Sequence, residues 1–342
     1  MQAELKQRAL QRFGAPLDTA DIICLARQLA SQKGKTRPED RAGMAGMLAR
    51  LAFLEPDRTG EIYDALALGW RGAPVKAAPL GTLSLPPGEA PEALFDAWWA
   101  VAVDLAAGKL DALAVTQRSA ALGGLAPEGF LTRVAEMSYL WPGVSEIANR
   151  PLPEHVRLED LAACPPASLG RAFHDLIVGN KFDLEVLDRD SIGLSKLPKP
   201  LDYLNTRILQ SHDLWHITAG YETTSLHELA ISAFQLAQFG HSYSAQFLAI
   251  SAATGALAPS FAYPILMDTI TSAWVHGRET PPLITLDWEG LWHLTPDAIR
   301  QAHAIRRYVR PWRADLVENR RPLADSLDAL RRALFSRRLT PA

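Results

Sequence analysis

Two histidines four residues apart, His212 and His216, with Asp213 following the first and Glu228 coming after eleven intervening residues beyond the second, are the residues best placed to do chemistry. On a helix, four residues advance about 400°, so both imidazoles leave one face. Asp213 sits about 100° from His212 and about 60° from His216, on the same edge. Gly220 offers a stop, and Ser225-Leu-His-Glu228 reads as a capping box that opens the next helix. A helix–turn–helix of this kind can swing Glu228 back toward the histidines. Two imidazoles and two carboxylates form a mixed nitrogen and oxygen set suited to a divalent cation, zinc first. Plainer readings stay open: Glu228 can accept the Ser225 backbone N–H, and Asp213 can orient a histidine without touching an ion. A zincin protease places Glu, not Asp, directly after its first histidine to activate water, so that class fits poorly.

Helical periodicity dominates the chain that must position these groups, and strand signals are almost absent. Helices are expected over 3–13, 19–30, 38–54, 59–70, 90–107, 110–122 and 127–139. Asp18 or Thr19 can cap the second, and Asp57 the fourth. Beyond them, 168–181, 202–219, 225–239, 245–256, 260–276 and 296–309 read as helical, the last with Thr295 as cap and Pro296 at the first position. The fold class is therefore all-α, a multi-helix bundle with the metal motif on a helix–turn–helix. A Pro/Gly-rich run from Gly72 to Gly88 suggests a boundary. Three parts are expected: an N-terminal helical extension over 1–88, a core over 89–310, and a basic tail over 311–342.

Composition narrows the class further. With 342 residues, 48% of them apolar, and a formal net charge of −3, the chain can bury a large core and shows no nucleic-acid signature. Cys24 and Cys164 form no CxxC pair and fit free thiols in a reducing compartment. No secretory signal or transmembrane span is expected. Leu229 to Met267 carries no Asp, Glu, Lys or Arg. Two buried core helices account for that, and so do helices lining an apolar channel beside the metal. Arg306 to Arg338 holds ten arginines and four acidic residues, either a solvated face or a dock for anionic lipid headgroups. His174-Asp175 repeats the His-Asp pair without a second histidine and is read as surface or core. Trp98, Trp99, Trp274, Trp288 and Trp292 are read as core anchors, and His227, His241, His276, His293 and His303 show no ligand spacing.

The run His212-Asp213-x-x-His216-x11-Glu228 resembles the signature of the coenzyme Q biosynthesis protein 4 family. Thr218-Ala-Gly-Tyr221, Glu228-Leu-Ala-Ile-Ser-Ala-Phe234-Gln-Leu-Ala-Gln238, Leu169-Gly-Arg-Ala-Phe-His-Asp and Asp287-Trp288-Glu289-x-x-Trp292 are similar to its flanking elements. The resemblance spans roughly residues 130–310. It implies a mostly helical protein of the cytoplasm, peripheral to the inner membrane, that takes part in ubiquinone biosynthesis. It also implies a divalent metal, usually zinc, on His212, Asp213, His216 and Glu228. The implied substrate is a polyprenylated aromatic lipid that loses its ring carboxylate at carbon 1 and gains a hydroxyl there. Asp213, Tyr221 and His227 are candidate catalytic groups, the last two as proton donors by closeness in sequence alone. The alternative is a non-catalytic, lipid-binding scaffold with a structural metal. Expected partners are the polyprenylated lipid, an anionic membrane surface, other ubiquinone-biosynthesis proteins and further copies of the chain, with no nucleic acid.

Overall fold

A computed structural model describes residues 2–83, 85–110, 112–180, 184, 188–190 and 192–312. Among the described residues there are fifteen α-helices and no strands. The first four are α1 (Gln2–Gly14), α2 (Thr19–Ser31), α3 (Pro38–Leu54) and α4 (Thr59–Arg71). After a long irregular segment come α5 (Glu92–Ala106), α6 (Ala112–Gly123), α7 (Phe130–Ser138), and the short α8 (Val144–Ile147) and α9 (Leu158–Ala162). The remainder are α10 (Leu169–Asn180), α11 (Leu201–Ala219), α12 (Ser225–Phe239), α13 (Ser242–Leu257), α14 (Ala262–Arg278) and α15 (Pro296–Ala302).

Hydrophobic patterning explains how they stack. α1, α2 and α4 are amphipathic and bury one face each. α3 and α13 have no polar face, and both lie in the interior. α3 packs between α1 and α13, α5 covers α13 from another side, and α12 pairs with α14, which rests on α4. The uncharged run after Glu228 is therefore core helix: α12 and α13 bury nearly every side chain against neighbouring helices. Close approach of α12 and α14 needs Gly277, because a β-carbon there would lie 2.6 Å from Ala237 Cβ and 2.8 Å from the Phe234 carbonyl oxygen.

The segment before residue 88 forms helices as expected, and its apolar side chains join the same core as the rest. Arg41, buried on α3, donates to the carbonyls of Gly255 and Ala258 at the end of α13. Trp274 of α14 stacks on Tyr63 with ring centroids 4.8 Å apart and donates to Asp64 at 2.7 Å. These contacts tie α3 and α4 to the helices that carry the site.

Several details differ from expectation. α4 is preceded by a 3-10 turn containing Asp57, so Arg58 and not Asp57 stands at its N-cap. α13 begins at Ser242, three residues early, and α15 stops at Ala302, well short of Val309. Residues 303–312 instead run as an irregular strap, pinned where Tyr308 N–H donates to the Ala219 carbonyl at 2.7 Å and the Tyr308 hydroxyl meets Ser272 Oγ at 2.7 Å. Arg306 pairs with Glu279 and Arg310 with Glu222, Arg307 is exposed, and the arginines of the basic run from Arg313 onward lie outside the described residues. No helix among the described residues is long and apolar enough to cross a membrane.

Candidate metal centre

α11 ends where Gly220 takes a left-handed conformation, φ 81°, with its N–H donating to the His216 carbonyl at 3.1 Å. Glycine takes that backbone without the steric cost of a β-carbon. The turn it makes reverses the chain, and α12 begins on an extended Thr224 that makes no side-chain cap. The N-cap is thus Thr224, one residue before the Ser225 that heads the expected capping box. Glu228, in its first turn, instead sets its carboxylate against both imidazoles: Oε1 lies 3.2 Å from His216 Nε2 and Oε2 lies 3.4 Å from His212 Nε2. The two Nε2 atoms are 3.1 Å apart, with ring centroids 4.9 Å apart. Ligand atoms of His212, His216 and Glu228 all lie within 4.8 Å of one another.

Those spacings fit one cation. Four ligands about 2.05 Å from a tetrahedral zinc stand about 3.3 Å from each other. The contacts of 3.1, 3.2 and 3.4 Å bracket that edge length. Backbone geometry also presents the correct nitrogen of His216, since its Nδ1 donates to the Tyr221 carbonyl at 3.1 Å and leaves Nε2 for the cluster. His216 and Glu228 are buried, whereas the His212 side chain is 30% exposed and marks the open side.

Electrostatics show how strongly these groups want a positive charge between them. Burial works against the His216 imidazolium, but Glu228, Asp213 and the Tyr221 carbonyl outweigh it and raise its pKa to about 9. Burial likewise opposes the Glu228 carboxylate, and the two imidazoles overcome it, holding the group at about 2.

Asp213 is half-buried and does not join the three-residue cluster. Burial raises its pKa; both imidazoles pull it back, and Glu228 adds to the rise. The Tyr221 hydroxyl is committed elsewhere, donating to His276 Nδ1 at 2.7 Å, while His276 Nε2 donates to the Arg306 carbonyl at 2.8 Å. Its ring stacks on Tyr308 at 4.6 Å. His227 Nδ1 accepts the Glu222 N–H at 2.5 Å, and its ring meets Tyr308 and Trp312 edge-on. Of the sequence candidates, then, His212, His216 and Glu228 come together, Asp213 stands beside them, and Tyr221 and His227 face the aromatic strap.

Two residues not singled out from the sequence also belong here. Gln235 Nε2 lies 2.5 Å from His212 Nδ1, and His241 is near enough that His212 helps depress its pKa, after burial. Gln235 could have been found by spacing, since it falls seven residues after Glu228 and so on the same helical face. A cavity of about 750 Å³, lined by Arg150, His155, Tyr203, Arg207 and Trp292 among others, flanks the N-terminal half of α11. None of the three clustered residues lines it.

Of three comparisons with known proteins, two give matches. The family described as Coenzyme Q (ubiquinone) biosynthesis protein Coq4 matches residues 134–308, just over half of the chain and all of the site. A crystal structure from Nostoc punctiforme PCC 73102, of a protein provisionally named for ubiquinone biosynthesis, is similar at 22% identity and a TM-score of 0.45. That similarity covers 61% of this chain and 97% of the other. No curated protein matches the sequence.

Proposed function

The chain belongs to the coenzyme Q (ubiquinone) biosynthesis protein Coq4 family and takes part in ubiquinone biosynthesis; from that premise we propose that it is a metal-dependent enzyme acting on a polyprenylated aromatic intermediate. The reaction proposed is decarboxylation and hydroxylation at ring carbon 1. The observation that carries the metal is the convergence of His212 Nε2, His216 Nε2 and the Glu228 carboxylate at coordination-sphere spacing. A bound divalent cation supplies Lewis acidity, gripping a substrate carboxylate or phenolate and stabilising charge on the ring. His216 and Glu228 fix the buried half of the set, and His212 holds the exposed half where a substrate can approach. Asp213 either completes the donor set or orients an imidazole.

Zinc is the cation proposed, because these donors suit it. Hydroxylation, however, consumes an oxidant of the dioxygen class, and two histidines with one carboxylate are also the set that holds ferrous iron in oxygen-using enzymes. Burial of His216 and Glu228 speaks for a second reading, a lipid-binding scaffold with a structural metal. Elemental analysis of purified protein, with mass spectrometry of co-purified lipid, tests all of these. One equivalent of metal per chain and a polyprenylated aromatic lipid are expected. Metal content unchanged in His216→Ala would reject the centre, and lipid without turnover would leave the scaffold reading standing.

The arginine run is proposed to dock on an anionic membrane surface. Co-sedimentation with anionic vesicles should weaken with salt, since the Debye length near physiological salt is about 8 Å. Reversing the charge of Arg331, Arg332, Arg337 and Arg338 should weaken it further, and unchanged binding would reject the role.

A further inference from the structure

Behind the exposed imidazole of His212 runs a chain of buried polar groups that the family chemistry leaves without a role. Gln235 Nε2 donates to His212 Nδ1 at 2.5 Å, Ser244 Oγ donates to Gln235 Oε1 at 3.3 Å, and His241 Nδ1 lies 2.9 Å from Ser244 Oγ. Gln235 and Ser244 are 4% and 1% exposed, in the middle of the uncharged run. A buried amide is costly unless its hydrogen bonds are made, and this one is paired at both ends.

We propose that Gln235 is a positioning residue for His212, and that Ser244 and His241 form a hydrogen-bond chain whose direction reverses when a cation is bound. The inference rests on the metal reading given above.

Donors and acceptors set the direction of this chain. As it stands, Gln235 nitrogen donates to His212 Nδ1, so the proton of a neutral His212 is on Nε2, facing Glu228 Oε2 at 3.4 Å. Nε2 cannot ligate a cation while it carries that proton. For ligation the proton must sit on Nδ1, and the acceptor in reach is then the Gln235 oxygen. The two ends of the amide have the same shape, so a half-turn about its last bond exchanges them within the same space.

That half-turn propagates. Gln235 nitrogen now faces Ser244 Oγ and donates to it, which turns the Ser244 hydroxyl proton toward His241 Nδ1. His241 must then carry its own proton on Nε2 instead of Nδ1. Each imidazole keeps one proton throughout; what changes is the nitrogen that bears it, by exchange with water. Burial holds the His241 pKa down at about 4, with the nearby His212 adding to the effect, so at neutral pH it is an uncharged ring with one N–H to place. Spacing makes the chain possible: Gln235 shares the Glu228 face of α12, and Ser244 lies in the first turn of α13, directly after His241 at its N-cap.

Zinc titration against a chromophoric chelator, with nitrogen-15 NMR of the histidine rings, tests this. Gln235→Leu, close in size and unable to accept a proton, should weaken zinc binding by roughly 10–100-fold, the range seen when a ligand's outer partner is lost. Gln235→Glu should bind zinc at least as tightly as the parent, because a carboxylate accepts from Nδ1 without any half-turn. Zinc should move the His241 proton from Nδ1 to Nε2 in the parent. Parent-like affinity in a folded Gln235→Leu protein, or a His241 tautomer indifferent to zinc, overturns the proposal. Zinc binding that survives His216→Ala shows instead that the centre itself is misplaced, and the proposal falls with it.

Discussion

His216 is held from both ends, by the Tyr221 carbonyl at Nδ1 and by Glu228 at Nε2. That grip makes Glu228→Gln an informative change: size and helix-forming tendency stay, and the charge that the imidazoles answer is gone. Zinc affinity should fall by more than the roughly 10–100-fold of an outer-partner loss, while helix content by circular dichroism stays at the parent level. An unchanged affinity would mean that the carboxylate is no ligand. A second residue-scale expectation concerns acid. His276 is buried between the Tyr221 hydroxyl and the Arg306 carbonyl, and burial, the largest cause, lowers its pKa from 6.5 to about 4. The unfolded chain therefore binds more protons between those values, and folding stability rises with pH across that window. Its contribution is complete above pH 6.5 and lost as pH falls through about 4, amounting to about 3 kcal/mol at most. Urea unfolding from pH 7 to pH 4 should show that slope, and His276→Phe should flatten it; a slope identical in the variant would assign the acid sensitivity elsewhere.

At the scale of elements, what could be read in advance depended on whether a helix had a polar face to give it phase. α11 and α12 alternate enough, and end on Gly220 and Gly240, so their span and the convergence of His212, His216 and Glu228 were legible. α13 has no polar face, and with no phase its start was misplaced by three residues, which hid His241 at the N-cap and Ser244 in the first turn. α8 and α9 are too short to show a period at all. The local sequence after Ala302 permits a helix; long-range bonds from Tyr308 to Ala219 and Ser272 decide otherwise. Closeness in sequence makes Tyr221 and His227 candidate proton donors, and the strap is what draws their side chains off. Close packing of α12 on α14 supplies a test of this level. Gly277→Ala would force a β-carbon against Ala237 and the Phe234 backbone, neither of which can rotate away. Overpacking of that kind costs about 1–3 kcal/mol. A melting temperature equal to the parent's would show that the two helices have slack that the structure does not show.

On the whole-molecule scale, the Pro/Gly run at 72–88 marks a real break in helical structure, yet the helices on either side of it share one core. α3 is buried from Asp40 to Leu54, and it packs chiefly against α1 on one side and α13 on the other. α13 in turn carries Ser244 and packs on α12, which carries Glu228 and Gln235. Removing residues 1–70 would therefore uncover α13 along its length and take away both Arg41, which closes the last carbonyls of that helix, and Tyr63, which stacks on Trp274. Exposed apolar area weighs about 25 cal/mol per Å², so a whole helix face is more than a marginally stable fold can lose. The expected outcome is a truncated chain that aggregates or unfolds without cooperativity, with metal binding lost through the fold and not through any ligand. Gel filtration and thermal denaturation of the 71–342 chain would read this directly. A monodisperse truncation that melts sharply and binds zinc like the parent would mean that the first four helices are a separable layer after all, and that the site stands on the helices from α5 onward alone.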